Sequence, residues 1–267
     1  MSKKYEKRAI VSFDGECPMQ CRHCFTHDLE RPLEPDGGLR TPEQIADDLK
    51  DQQFDVIYLS RSYENFLDQK KALHLCRILF DRYQKDLLII TRSALEEETV
   101  KKLGCLNRDM KQNGHRLFLA CSFCGDDSYR ISEDAVRCPN PKERMKNLEL
   151  AHQYGICTIL LLRPLFPNAI IPVQECIDLI DKARGIIDGV ISSGLIITEN
   201  ILKRLQIERN RIPLMEDGDS EYLENIAKDK VCYVDVEQEL ALIEDHCQEL
   251  GLPFFRHSMP ALNALAE

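Results

Sequence analysis

No stretch of the 267-residue chain approaches about 18 consecutive apolar residues, the length a bilayer-crossing helix needs, so a transmembrane helix is not expected. Positive charge is not in excess either: 35 Lys and Arg against 45 Asp and Glu leave a formal net charge of −10. That balance argues against general binding to nucleic-acid backbone or to an anionic membrane, while leaving room for a local basic pocket. There is no tandem repeat and no low-complexity segment, so solenoids and arrays are excluded. The basic start, Met1 to Arg8, precedes an apolar segment too short for a signal peptide, and the expectation is a cytoplasmic protein. Twelve cysteines in that setting read as thiols rather than as a disulfide framework. Cys76, Cys157, Cys176 and Cys247 fall singly on apolar faces, where Cys acts as a small buried hydrophobe.

Three thiols break that pattern. Cys17, Cys21 and Cys24 are spaced C-x3-C-x2-C directly after a short apolar strand. Pro18, Gln20, Arg22 and the turn at Asp14-Gly15 mark a polar loop rather than a core segment. Thiolates are soft ligands, suited to iron–sulfur clusters, zinc or copper. A [4Fe–4S] cube is usually held by four cysteines, so three without a close fourth leave one iron open to an outside ligand. A closed zinc site would need a fourth ligand, for which His23 and His27 are the local candidates.

The spacing, with the aromatic His23 just before the last Cys, resembles the signature of the radical S-adenosylmethionine (SAM) superfamily. The resemblance implies a [4Fe–4S] cluster on Cys17, Cys21 and Cys24, with SAM chelating the open iron. It further implies reductive cleavage of SAM to a 5′-deoxyadenosyl radical, which removes a hydrogen atom from a substrate. Such a motif should follow the first strand of a βα-repeat chain.

The chain order meets that expectation. Residues 9–13 read as a strand buried on both faces. Thr41-Pro42-Glu43-Gln44 is a helix start. A second strand over 54–60 is followed by a helix from Asp68, and a third strand over 87–91 by a capping box at Ser93–Glu96 and a helix to about Leu103. A fourth strand over 116–122 leads to a polar excursion up to Asn140, which caps a helix ending at Gly155. Strands over 157–162 and 189–192 with 195–197 flank a helix over 172–184. Residues 201–230 are highly charged, Asp235 caps a last helix, and 253–257 read as a closing strand. The alternation predicts a single α/β domain over 1–267 with parallel strands. Six units are too few for a closed eight-fold barrel, so the expectation is a partial (βα)6 TIM-like barrel, as the resemblance also implies. Its core spans about 8–200, and 201–267 form a C-terminal helical and closing extension.

Ligands in parallel βα folds bind beyond the carboxyl ends of the strands. Ser60 to Asn65, Thr91-Arg92-Ser93, Ser122, Arg163 and Ser192-Ser193-Gly194 all fall there. By resemblance, the segment after the second strand binds the SAM amino group. It reads Ser60-Arg61-Ser62 with Glu64 close by, a departure from the Gly-Gly-Glu-like pattern, which points to Ser60 and Glu64. Ser122 corresponds to a contact with the SAM ribose or carboxylate, Arg163 or Arg144 to a partner of the carboxylate, and His23 to a backbone contact with adenine. A salt-bridge role competes for both arginines. Cys121, Cys124 and Cys138 could hold a second metal, or donate hydrogen as in the spore photoproduct lyase branch. The favoured reading is that Cys121 faces the core and Cys124 is incidental. The acidic run 216–221 reads as solvated, and His246 and His257 as surface or packing residues.

The function expected is therefore that of a radical SAM enzyme with an unidentified substrate: a small molecule, nucleotide or peptide. It would need a reductant such as flavodoxin or ferredoxin. No seven-cysteine extension is seen, which disfavours peptide modifiers with auxiliary clusters. The competing reading is a non-enzymatic iron–sulfur or zinc protein, a sensor or structural site.

Overall fold

The computed structural model describes residues 4–13, 15, 17–28, 40–59, 63–134, 136–215 and 232–266. Strands β1 (Arg8–Val11), β2 (Val56–Leu59), β3 (Asp86–Thr91), β4 (Leu117–Phe123), β5 (Cys157–Leu165) and β6 (Gly189–Gly194) lie side by side in chain order, all parallel. Three short strands, β7 (Ile196–Ile197), β8 (Leu214–Met215) and β9 (Cys232–Val234), form a separate antiparallel sheet in the order β7-β9-β8. Strand β10 (Phe254–Phe255) then pairs in parallel with β6 and becomes the seventh strand of the main sheet. The sheet is open: β1 and β10 are its two edges. This is the expected partial barrel, with β10 as its closing strand.

The helices are α1 (Pro42–Asp47), α2 (Gln69–Tyr83), α3 (Glu97–Gln112), α4 (Pro141–Gln153), α5 (Val173–Ala183), α6 (Glu199–Leu205), α7 (Glu237–Glu249) and α8 (Ser258–Leu265). Successive strand residues point to opposite faces, and the two faces have different neighbours. Ile57, Leu59, Leu87, Ile89, Leu117 and Leu119 meet the helices, among them Leu75 and Leu79 of α2 and Leu103 of α3. Val56, Tyr58, Leu88, Phe118, Ile159, Leu161 and Ile191 face inward, where Ala261 and Leu262 of α8 fill the interior. The strands read as unbroken apolar runs because both faces are covered.

Sequence signals at the helix starts were good guides. Thr41 with Gln44, and Asn140 with Glu143, form complete capping boxes, and the Asp68 side chain accepts from Lys71 N–H. Gly155 and Gly251 take φ of +71° and +68° just past their helices, where a side chain would be strained. Three expectations need correction. The helix after β3 starts at Glu97 and runs to Gln112, and Ser93 is no cap: it is buried, with its N–H bonded to the Thr91 hydroxyl at 3.0 Å. Asp235 supports α7 through the Glu237 N–H, but α7 is not the last helix, because α8 follows it. The 189–197 region splits into β6 and β7, which belong to different sheets. The acidic run 216–221 lies outside the described residues.

The rim at the strand amino ends is held by Asp86. Its buried carboxylate accepts from Lys4 Nζ (2.8 Å), from the Tyr5 hydroxyl and from Arg116 N–H (3.0 Å), with His115 Nδ1 at 3.0 Å. Burial pushes its pKa up, but Lys4, Tyr5 and Arg116 outweigh that and hold it below the ordinary 3.8. A depressed pKa means stability that is fully present above that ordinary value and is lost as pH falls through the lower folded one. Asp86→Asn is expected to cost about 2–3 kcal/mol. Urea titration at neutral pH checks the loss, and repeating it near pH 3 should find a smaller difference between variant and parent.

Candidate functional site

The thiol loop leaves the carboxyl end of β1 and turns twice. Gln20 takes a left-handed φ of +50°, with its N–H directed at the Cys17 carbonyl at 3.4 Å, and Cys24 N–H bonds the Cys21 carbonyl at 3.0 Å. Two elements far away in sequence clamp it. From α6, Arg204 donates to the carbonyls of Arg22 (3.0 Å) and Cys24 (2.9 Å) and makes a two-pronged ion pair with Asp28 (2.6 and 3.0 Å). From the excursion after β4, the Ser132 carbonyl accepts from Arg22 N–H at 2.9 Å, and the Ser132 hydroxyl lies 2.5 Å from His23 Nδ1. Burial, helped by Arg92, lowers the His23 pKa to about 3, so the ring is neutral at physiological pH.

Cys17, Cys21 and Cys24 line one pocket together with Met19 and His23 of the same loop. Its other walls are Tyr63 and Glu64 after β2, Ile90, Thr91 and Arg92 at the end of β3, and Ser122 on β4. The cavity volume is about 90 Å³, against the roughly 10–15 Å³ that a single water requires. This pocket takes a group larger than solvent.

Polar groups in the walls are held in place. Glu64 is buried, and its carboxylate accepts from the Thr91 hydroxyl (2.7 Å), Arg92 N–H (2.8 Å) and Phe66 N–H (3.1 Å). A carboxylate has about four lone-pair sites, which leaves one for a ligand. Burial raises its pKa despite those donors, so a cationic group in the pocket would favour its charged form. Arg92 donates to Glu133 (3.1 Å) and to the Arg163 carbonyl (2.7 Å). Burial works against its charge, but Cys21, Glu133 and Cys124 more than compensate, and it stays protonated.

Behind this wall is a buried ion network. Arg144 and Glu133 pair with neither side chain exposed, at 2.8 and 3.1 Å, and Arg144 also donates to the Ser122 carbonyl at 2.5 Å. Arg144 therefore faces Glu133 and the Phe123 ring, not the pocket. Cys121 faces the core as expected. Cys124 is buried too, with its Sγ 3.3 Å from Glu133 Oε1. Cys138 is also buried, with Sγ 3.6 Å from that of Cys21 and 3.5 Å from the Met19 carbonyl.

No family model and no curated protein matches the sequence. Solved structures do match the chain. Spore photoproduct lyase complexed with dinucleoside spore photoproduct superposes with a TM-score of 0.62 at 11% identity, over 93% of this chain and 76% of that one. SuiB of Streptococcus suis bound to S-adenosylmethionine gives 0.62 at 12% identity, over 96% of this chain and 51% of that one. A spore photoproduct lyase variant with bound AdoMet and dinucleoside spore photoproduct gives 0.61 at 10% identity, again over 93% of this chain. The fold is the radical SAM partial barrel. At these identities the match is one of backbone, and the chemistry has to come from the residues.

Of the residues singled out in the sequence, the pocket brings together all three cysteines, His23, Glu64 and Ser122. Ser60 lies outside the described residues. Arg163 is absent from the pocket wall; its carbonyl instead accepts from Arg92 and, at 2.9 Å, from the Ser122 hydroxyl. Arg92, Arg204 and Glu133 carry site geometry that the sequence reading did not assign to them. For Arg92 a signal existed, because it follows β3 on the rim that holds the other polar residues. Arg204 reaches the thiol loop from 176 to 182 positions away and Glu133 reaches Arg92 from 41 positions away, and nothing local announces either contact.

Proposed function

We infer that the chain is a radical SAM enzyme, with a [4Fe–4S] cluster on Cys17, Cys21 and Cys24 and SAM in the same pocket. The observation that carries this is the pocket itself: three thiols, one buried carboxylate with a site to spare and one guanidinium share its wall. The donor set fits the group. A cube takes its thiolates on separate irons, so they need not converge as the ligands of one zinc ion do. Among the described residues no group of three or more His, Cys, Asp or Glu converges in that single-ion fashion. When bound, the reduced cluster supplies the electron that cleaves SAM to the 5′-deoxyadenosyl radical.

The chain's own residues do the rest. Burial raises the pKa of the Cys17 thiol, while Cys21 is raised by its contact with Cys138 and by burial. Thiols in such surroundings become thiolates on metal binding, which deprotonates them outright. Arg92 offers a positive charge to the thiolates and to the SAM carboxylate, and Ser122 a hydroxyl to the carboxylate or ribose. Glu64 receives the SAM amino group, and the backbone at His23 meets adenine. Tyr63, Met19 and Ile90 give the pocket apolar walls that exclude water and stray hydrogen donors. A one-electron reductant of the flavodoxin or ferredoxin kind is required.

The test is anaerobic reconstitution with iron and sulfide, then dithionite and SAM. The expected result is an EPR signal of the reduced cluster that changes on adding SAM, with 5′-deoxyadenosine formed. A cluster whose spectrum ignores SAM, or zinc bound in place of iron, would overturn the reading in favour of a sensor or structural site.

A further inference from the structure

The excursion after β4 lines a second cavity, about 390 Å³ in volume, whose walls include Arg130, Arg137, Cys138 and Glu143. Cys138 is not in the wall of the thiol pocket, and Cys21 is not in the wall of this one. The two residues thus line different cavities, yet their Sγ atoms lie 3.6 Å apart. That approach joins positions 117 apart in the chain, and backbone bonds hold both sides of it. Arg22 N–H bonds the Ser132 carbonyl at 2.9 Å, and Cys138 N–H bonds the Asp134 carbonyl at 2.8 Å. The Cys138 thiol itself donates toward the Met19 carbonyl at 3.5 Å, so it faces the thiol loop.

Neighbouring thiols are arranged differently. Cys24 Sγ lies 2.9 Å from the Thr26 hydroxyl, Cys121 Sγ 3.7 Å from Asn147 Nδ2, and Cys124 Sγ 3.3 Å from Glu133 Oε1. Cys21 instead meets a sulfur, and that sulfur belongs to a residue outside the triplet. A disulfide bond is about 2.05 Å long, so these two sulfurs have roughly 1.5 Å to travel. Cysteines that respond to oxidants are often poised beside a second thiol that resolves the first oxidation product. Access decides which thiol is struck first. Here the open side of the pair is the second cavity, and the residue lining it is Cys138.

We propose that Cys21 and Cys138 form a reversible disulfide in the cluster-free chain, and that this bond switches cluster assembly off. The switch rests on the reading of Cys21 as a cluster ligand; the bond itself does not. The oxidant is a hydroperoxide that enters through the second cavity. Its O–O bond breaks on the Cys138 sulfur, which keeps one oxygen as sulfenic acid while the other leaves as water. The Cys21 sulfur then attacks the Cys138 sulfur; the S–S bond forms, the S–O bond breaks, and that oxygen leaves as a second water. The two thiols give up two electrons and two protons, and one H2O2 becomes two waters. Capture by Cys21 stops Cys138 from going on to the sulfinic acid, which is irreversible. A dithiol restores both residues by exchange.

The experiment treats the full chain, reduced and free of iron, with equimolar hydrogen peroxide under nitrogen. Remaining thiols are alkylated, and unreduced peptides are identified by mass spectrometry. Two of the twelve thiols should be lost, with Cys21 and Cys138 in one linked pair of peptides. Iron and sulfide added to the oxidised chain should then give no cluster absorbance until dithiothreitol is supplied. Cys138→Ala should lose both the linked peptides and the block that dithiothreitol reverses. Cys138→Ser, which keeps a donor for the Met19 carbonyl, serves the same purpose where alanine disturbs folding. Cys21 linked to Cys17 or Cys24, or left free while other thiols are oxidised, overturns the proposal. So does an equal reversible block in the Cys138 variants. A linked chain that takes up cluster without dithiothreitol overturns the switch. The linkage is read without iron or SAM, so its failure leaves the SAM reading standing. A cluster that ignores SAM would overturn that reading and leave the linkage measurement valid.

Discussion

Alanine at Cys17, Cys21 or Cys24 is expected to bring iron content and 5′-deoxyadenosine formation down to the level of a control without protein. Two thiolates leave two irons of a cube without protein ligands, and the third position cannot be made good by a neighbour through small adjustments. Cys138 is the informative case. Its Sγ is only 3.6 Å from that of Cys21, so a spacing argument alone would admit it as a substitute ligand. It lies behind Cys21, however, bonded to the Met19 carbonyl and absent from the pocket wall. Cys138→Ala and Cys124→Ala should therefore keep the iron stoichiometry and the SAM-dependent EPR change. Iron analysis and EPR of all five variants in parallel make the comparison. Retained SAM cleavage in a Cys17, Cys21 or Cys24 variant would show that the three are not the ligand set. Loss of cluster in Cys138→Ala, with the thermal midpoint unchanged, would make Cys138 a fourth ligand.

The fold was legible because its signals are local. Strand β2 and the middles of β3 and β4 are apolar, and Thr41, Asp68 and Asn140 sit where caps must be. The error at Ser93 has a physical cause: Ser-x-x-Glu fits a capping box, but the Ser93 N–H is already turned back onto the Thr91 hydroxyl, and the helix waits until Glu97. The thiol triplet was legible for the same reason, since its spacing lies within eight residues. What the sequence hides is everything that depends on contacts between residues far apart in the chain. Arg204 reaches back to the thiol loop from the C-terminal extension, which looked peripheral in sequence. By resemblance Arg163, like Arg144, was a candidate for the SAM carboxylate, with a salt bridge as the alternative. Arg163 is absent from the pocket wall, and its carbonyl accepts from Arg92, which lines that wall.

Glu133→Gln is expected to be the most destabilising single change near the site. Glu133 lies on the excursion between Ser132, which clamps the thiol loop, and the turn that carries Cys138. Its carboxylate compensates two guanidiniums, Arg144 with no exposed side-chain surface and Arg92, which is mostly buried. Removing one partner of a buried pair leaves uncompensated charge, at about 3–5 kcal/mol. The Nε of Arg144 already has no partner, so the remaining guanidinium has little to fall back on. Replacing both partners should cost much less than the sum: in Glu133→Gln with Arg144→Met, one buried cation is gone as well. The pH dependence has a definite sign. Burial pushes the Glu133 pKa up, but Arg144 and Arg92 outweigh it and hold the carboxyl below the ordinary 4.5. Its contribution is thus complete above that ordinary value and disappears as pH falls through the lower folded one. Denaturation of parent and variant from pH 7 down to pH 3 should show the gap between them narrowing only at the acid end. A gap that is small at pH 7, or constant over the whole range, would mean that the pair does not hold the excursion. The thiol loop would then depend on Arg204 alone. If the gap behaves as expected, loosening the excursion should also weaken cluster retention in Glu133→Gln without altering any thiol, because the same few residues that neutralise Arg144 and Arg92 also brace Arg22 and His23 from behind.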